Sequence, residues 1–138
     1  MAVDPALAGR TFVGAPYAVS REKVGEFARA VGALETPSGD DASAPFTFPM
    51  VVAFELMGAL LADPKVGIEL RNVVHRDERI DQVRPMRVGD VVVGTLTVDS
   101  VRAAAGVDMI ATRTDIATVE GEALCTAAAT LVHRGGAS

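Results

Sequence analysis

Residues 48–61 form the least polar stretch of the chain: Phe48, Met50, Val51, Val52, Phe54, Leu56, Met57, Leu60 and Leu61, with Glu55 as the sole charge. At 3.6 residues per turn these side chains surround the axis of a helix, and a helix that is apolar all round has to be wrapped on nearly all sides. The stretch is shorter than the roughly 18 to 20 residues of a membrane span. It reads instead as a core helix, opened by Thr47 and Pro49 and stopped by Asp63-Pro64. The rest of the chain must supply the wrapping. Beyond Pro64 the β-branched content rises, and 66–84, 91–102, 107–119 and 122–134 read as strands. Turns fall at 84–90, 103–106 and Glu120-Gly121, the last short enough for a two-residue hairpin in which Gly takes positive φ. Upstream, Ser20 is placed to cap a helix in which Val24, Phe27, Ala28 and Val31 recur at i, i+3, i+4 and i+7, with Gly32 to end it. One all-round apolar helix and a meander of long strands bury themselves most simply when the sheet curls around the helix, an α+β arrangement.

The 138 residues are expected to form one domain, 1–138, large enough for a core without disulfides or metal. A formal charge of -5 argues against nucleic acid or an anionic membrane as partner, since both attract clustered Lys and Arg. Cys125 is the only cysteine and has no internal disulfide partner, which suits a reducing compartment. The first residues carry an early acid, Asp4, and no long apolar run, so no secretory signal is read there. The expected location is the cytoplasm. The Gly-Gly-Ala-Ser tail is expected to fray.

Three segments carry a family resemblance: Asp63-Pro64-Lys65-Val66-Gly67, Val73-Val74-His75-Arg76-Asp77-Glu78, and Arg84-Pro85-Met86-Arg87-Val88-Gly89-Asp90. In that order and spacing the chain, over about residues 9–133, resembles the MaoC-like (R)-specific hydratase/dehydratase family of the N-terminal type. More narrowly it is similar to the non-catalytic subunits of actinobacterial (3R)-hydroxyacyl-acyl-carrier-protein dehydratases. The resemblance implies a hot-dog fold, a long central helix wrapped by an antiparallel sheet, used as a dimer. It also implies an acyl thioester on CoA or acyl carrier protein as ligand, with no cofactor and no metal.

Dehydrating a 3-hydroxyacyl thioester needs a base for the C2 proton, a proton for the departing hydroxyl, and donors for the enolate-like oxygen. Catalytic members of the family carry Asp-x-Asn-Pro-(Leu/Ile)-His. Setting Gly32 on the Gly before that Asp puts Ala33 at the Asp position and Ser38 at the His position, and neither titrates. Other registers do no better, because Pro45 follows Asp40 by five residues and Phe46 follows Asp41 by five. No catalytic residue of the usual kind is therefore expected. The resemblance further implies that the amino end of the central helix offers a backbone N–H to the thioester carbonyl. Pro45 and Pro49 each remove one donor there, leaving Phe46, Thr47 and Phe48 as substrate-binding candidates. Arg84 and Arg87 flank a turn and are candidates for the phosphates of a pantetheine-bearing substrate, with ordinary surface arginine as the plainer reading.

The remaining candidates are weighed against plainer readings too. His75 reads as a structural or interface residue rather than a base, and His133, beside Arg134 near the C-terminus, reads as solvent-exposed. Neither has Cys or His at metal-ligand spacing. Glu55 reads as a charge on an outward or subunit-facing helix position, with a thioesterase carboxylate as the alternative. Asp40 and Asp41 read as a solvated turn, and Cys125 as a small buried hydrophobe. Two classes of function remain. One is a partner subunit without a dyad, homodimeric alone and heterodimeric with a catalytic MaoC-like chain, whose small Ala127, Ala128 and Ala129 leave room for an acyl chain. The other is a free-standing acyl-CoA hydratase or thioesterase using Glu55 or Asp41, beside which stands a homodimeric acyl-thioester binder.

Overall fold

The computed structural model describes residues 3–33, 39 and 42–134. In chain order these form β1 (Thr11–Val13), β2 (Tyr17–Ala18), α1 (Arg21–Ala30), α2 (Met50–Ala62), β3 (Val73–Gln82), β4 (Val91–Ala104), β5 (Val107–Thr118) and β6 (Ala123–Arg134). All strand pairings are antiparallel, in a six-stranded sheet of order β1-β4-β5-β6-β3, with β2 also on β4.

Both helices form where their signals lie. The Ser20 hydroxyl accepts the Lys23 amide at 3.1 Å, satisfying one of the donors a helix start leaves over. At the other end Gly32, at φ 72°, lets the Gly32 amide reach Arg29 O and the Ala33 amide reach Ala28 O at 2.9 Å. This is the paired closure that a left-handed glycine makes possible. Val24 and Ala28 face the core, and Phe27 meets Phe48 edge to face with centroids 5.4 Å apart. The long strands alternate as their sequences do. In β5 Asp108, Ile110, Thr112, Thr114 and Ile116 face inward, and in β4 Val92, Leu96 and Val98 do.

Four expectations are corrected. The short strands β1 and β2 lie where none was read, because three and two residues are too few to display a period. The strand expected over 66–84 starts only at Val73, since Gly67 at φ 77° and a 3₁₀ turn at Leu70–Asn72 break the extended path. The hairpin at Glu120-Gly121 is wider than two residues: the Thr118 amide donates to Glu122 O and the Gly121 amide returns to Thr118 O. Finally, α2 is not wrapped all round. Val52, Ala53, Leu56, Met57 and Leu60 are buried, while Phe54, Glu55, Gly58 and Ala59 are exposed. A single curled sheet reaches only one side of the helix.

The sheet holds α2 closest at Gly94. A Cβ built there falls 2.7 Å from Val52 Cγ1 and 2.8 Å from Leu56 Cδ1, so the glycine is what lets the helix settle onto β4. At the far edge, among the described residues, β3 pairs only with β6, and its outer N–H and C=O groups have no strand beside them. The register of that pairing slips between His75 and Asp77, making Arg76 the extra residue of a bulge.

Candidate functional site

The segment leading into α2 is laid as a short ribbon against the 84–90 turn. The Ala44 amide donates to Met86 O at 2.7 Å and the Val88 amide to Ala42 O at 2.9 Å, with Ser43 bridged to Arg87. A turn then carries the chain into the helix. The Phe48, Met50, Val51 and Val52 amides donate to Pro45, Thr47, Phe48 and Pro49 carbonyls. Those contacts consume the donors that a helix start normally leaves over. Among the described residues, the Phe46 and Thr47 amides alone in this turn take no acceptor. The expected set therefore narrows, because the Phe48 amide is engaged and its ring is fully buried against Phe27. Phe46 and Thr47 stand exposed at the opening.

Of the two arginines, Arg84 is already committed. Its guanidinium donates to both oxygens of Asp90 at 2.9 and 3.1 Å, to both of Glu122 at 2.9 and 3.1 Å, and to Pro85 O. These carboxylates hold the guanidinium well above its ordinary value, Glu122 first and Asp90 second. In return Asp90 and Glu122 are held below theirs, chiefly by Arg84. A cavity of about 210 Å³ there is lined by Arg84 with Asp90, Glu120 and Glu122, so three carboxylates outnumber the one guanidinium and the rim disfavours a phosphate. Arg84 thus ties the 84–90 turn to the β5–β6 connection. Arg87 donates only its backbone amide, to Asp90, and its exposed guanidinium has no ion-pair partner among the described residues.

His133 is corrected from exposed to buried, at 1 % exposure. It occupies an inward position of β6, opposite Asp108 of β5, so the sheet's alternation carries it inside. The Glu69 amide donates to its Nε2 at 3.1 Å, which leaves the proton on Nδ1, 3.5 Å from Asp108 Oδ2. The same carboxylate oxygen accepts the Val3 amide at 3.0 Å. This network was missed because the run around His133 was read by its nearness to the chain end. Its signal was parity: residue 133 shares a face with Leu131, as residue 108 does with Ile110.

His75 lies on the open flank, where Nε2 is 3.3 Å from Glu78 Oε2 and the ring meets Phe54 edge to face at 5.8 Å. Burial raises Glu78 above the usual carboxylate value, against the lowering effect of His75. Neither Glu78 nor Phe54 was singled out from sequence. Glu55 is exposed on α2 and lies toward β2, since its charge helps burial to raise the Tyr17 phenol. It has no hydrogen-bond or ion-pair partner among the described residues. The Ala33 amide closes α1, while Ser38, Asp40 and Asp41 lie outside the described residues. Cys125 is buried and its thiol is pushed up to about 11 by desolvation, the state of an inert core residue. Ala127 and Ala129 face inward, Ala127 against Met50 and Ala53, whereas Ala128 is on the other face. The described residues contain no cluster of three metal-ligating side chains and no helix long and apolar enough to cross a membrane.

Comparison with known proteins gives these positions a context. The model of the FAS1-like, dehydratase domain region matches residues 6–127. A UPF0336 protein of Leifsonia xyli is 40% identical over 144 residues, covering 96% of this chain and 97% of its own length. One from Saccharopolyspora erythraea is 36% identical over 148 residues, covering 99% and 95%. Among solved structures, a C-terminally truncated HadBC (3R-hydroxyacyl-ACP dehydratase) complex from Mycobacterium tuberculosis superposes with a TM-score of 0.78 at 27% identity, over 91% of this chain and 96% of that one. A MaoC-like dehydratase gives 0.79 at 27%, over 95% of this chain and 43% of that one. The sheet curled on α2 is the hot-dog arrangement of these neighbours, and the chain belongs to the FAS1-like dehydratase-region family, MaoC-like in fold.

Proposed function

We propose that this chain is a (3R)-hydroxyacyl-thioester dehydratase subunit without an acid/base dyad, which pairs with a dyad-bearing hot-dog chain and shapes that partner's acyl site. The observation that carries the reading is the use made of its two histidines. His133 is locked between Asp108 and the Glu69 amide, and His75 lies on the flank of β3, so neither stands at the opening of α2. Ala33 and Ser38 occupy the aligned dyad positions. The exposed side of α2 and the unpaired edge of β3 suit a second hot-dog subunit, and the HadBC neighbour of this fold is itself a complex. The ligand on this reading is an acyl group on CoA or acyl carrier protein, with Phe46, Thr47 and Arg87 nearest the mouth. Alone, the chain forms a homodimer. The test is hydration of crotonyl-CoA followed by the ultraviolet absorbance of the enoyl thioester. The chain alone is expected to be inactive, since a positioned acid and base each contribute about 10² to 10⁴. Adding a hot-dog chain that retains Asp-x-Asn-Pro-(Leu/Ile)-His should give activity above that of the added chain by itself. Rapid hydration by this chain alone overturns the reading.

One observation favours a second reading: Glu55 is exposed and unpaired on the open side of α2, available as a thioesterase carboxylate. Loss of acyl-CoA hydrolysis in Glu55→Gln, with the fold intact, would select it.

A further inference from the structure

We propose that the outer face of the sheet, at the end where β6 stops, carries a binding site for a small amphiphilic anion, a carboxylate on an alkyl chain of about eight carbons, with Arg134 at its head and Val107, Val132 and Val74 under its tail. The site is independent of the dehydratase-subunit reading. It lies at the opposite end of β5 from the cavity beside Arg84.

Strand pairing assembles it. Val107 of β5 stands opposite Arg134 of β6, and Val132, two residues earlier on β6, stands opposite Val74 of β3. Opposed residues of an antiparallel pair lie on one face, and residues two apart along a strand share it, so all four project outward, away from α2. They border a cavity of about 310 Å³. At about 30 Å³ for each water-sized group, that is room for about ten non-hydrogen atoms, the size of octanoate. The apolar surface there is open, since Val74 is 65% exposed and Leu70 of the preceding turn 71%. An alkyl chain laid on it removes methyl groups from water.

The charge at the cavity is one uncommitted cation. Arg71 is held by Glu69 at 2.9 Å, and Asn72 turns to the same carboxylate at 3.5 Å. Arg134 has no hydrogen-bond or ion-pair partner among the described residues. Neighbouring carboxylates do not offset it: Asp108 faces inward to His133, and Asp77 is paired with Arg76. One guanidinium without a counter-ion matches one carboxylate, which it can hold by two parallel N–H···O bonds. A dianionic phosphate would leave a charge unmatched. In a chain of net charge -5, the cavity at the other end of β5 has the reverse balance.

Calorimetry and valine-methyl NMR on the full chain, with octanoate as the probe, test the site. Expected are one saturable event with a Kd of about 1 mM, in the range for ten ligand atoms on an open site, and shifts of the Val74, Val107 and Val132 methyls. Acetate lacks the tail and octanol the charge, so each should bind at least about tenfold more weakly. Arg134→Gln should weaken octanoate about tenfold, while Arg29→Gln, an equal change of net charge on α1, should not. Octyl phosphate should bind no tighter than octanoate. No saturation by about 10 mM, octanol binding as well as octanoate, or equal losses in the two arginine variants overturns the proposal. So does a preference for octyl phosphate. Binding that shifts Val51 and Val52 at the opening of α2 and leaves the three outer valines unmoved also overturns it, and places the acid in the acyl site of the reading above.

Discussion

His133 and His75 lie on the paired strands β6 and β3, and each meets a carboxylate, at 3.5 and 3.3 Å. Around His133 the side chains are 2 % and 3 % exposed, and two backbone amides from distant segments, Val3 and Glu69, converge on the pair. It joins the chain's beginning, β5, β6 and the segment before β3. Around His75 no backbone group of the described residues converges; the pair shares an open flank with one aromatic ring of α2. The same two residue types are thus a fastening where buried amides need acceptors and a surface feature where they do not. The difference comes from position: His133 faces inward from β6, which has a strand on each side, and His75 lies on the edge strand β3.

The comparison breaks most readily at its buried member. His133→Ala leaves buried Asp108 with the Val3 amide alone and takes the acceptor from the Glu69 amide, and should cost about 3 to 5 kcal/mol in urea unfolding. A loss below about 1 kcal/mol would mean the network is not the fastening described. Val3→Ala keeps the amide donated to Asp108 and removes only buried methyls, so roughly 1 to 2 kcal/mol is expected from the same measurement.

The open member is sharpened by pH. Glu78 is raised in the folded chain, so folding favours its protonated form; stability from this group is full below about pH 4.5 and is lost as pH rises through the raised value. Asp90 has the opposite sign: held low by Arg84, it contributes above about pH 3.8 and is lost as pH falls through its depressed value. Glu78→Gln should therefore flatten the decline on the neutral side and leave the acid limb intact, as read by melting temperature across pH. The smallest effect belongs to His75→Ala. Its partly exposed contacts should be worth at most about 0.5 kcal/mol to the isolated chain.

Sequence alone was informative where a signal is local and repeated. The Ser20 cap, the spacing from Val24 to Val31 and the Asp63-Pro64 stop placed both helices, and β-branched alternation placed β4, β5 and β6. It was silent where structure depends on what lies across the sheet. Tyr17-Ala18 becomes a strand because β4 runs beside it, and the uncovered side of α2 follows from how far one sheet reaches. At the candidate site, the absence of His before α2 was legible directly. The engagement of Arg84 by Glu122, 38 residues away, was not, because nothing near either residue marks the pairing. His133 was misread for the related reason that burial follows strand parity and neighbours, not distance from a terminus.

The missing side chain at Gly94 reaches further than its own strand. Val52 and Leu56, the residues that occupy its space, are each two positions from Phe54, which at 100° per residue turns Phe54 to the opposite side of α2. The depth of the helix at β4 therefore sets the height of the Phe54 ring over His75. Gly94 acts as a remote gauge for the flank: Gly94→Ala, by pushing on two side-chain tips, would alter the shape of that flank without changing any of its residues.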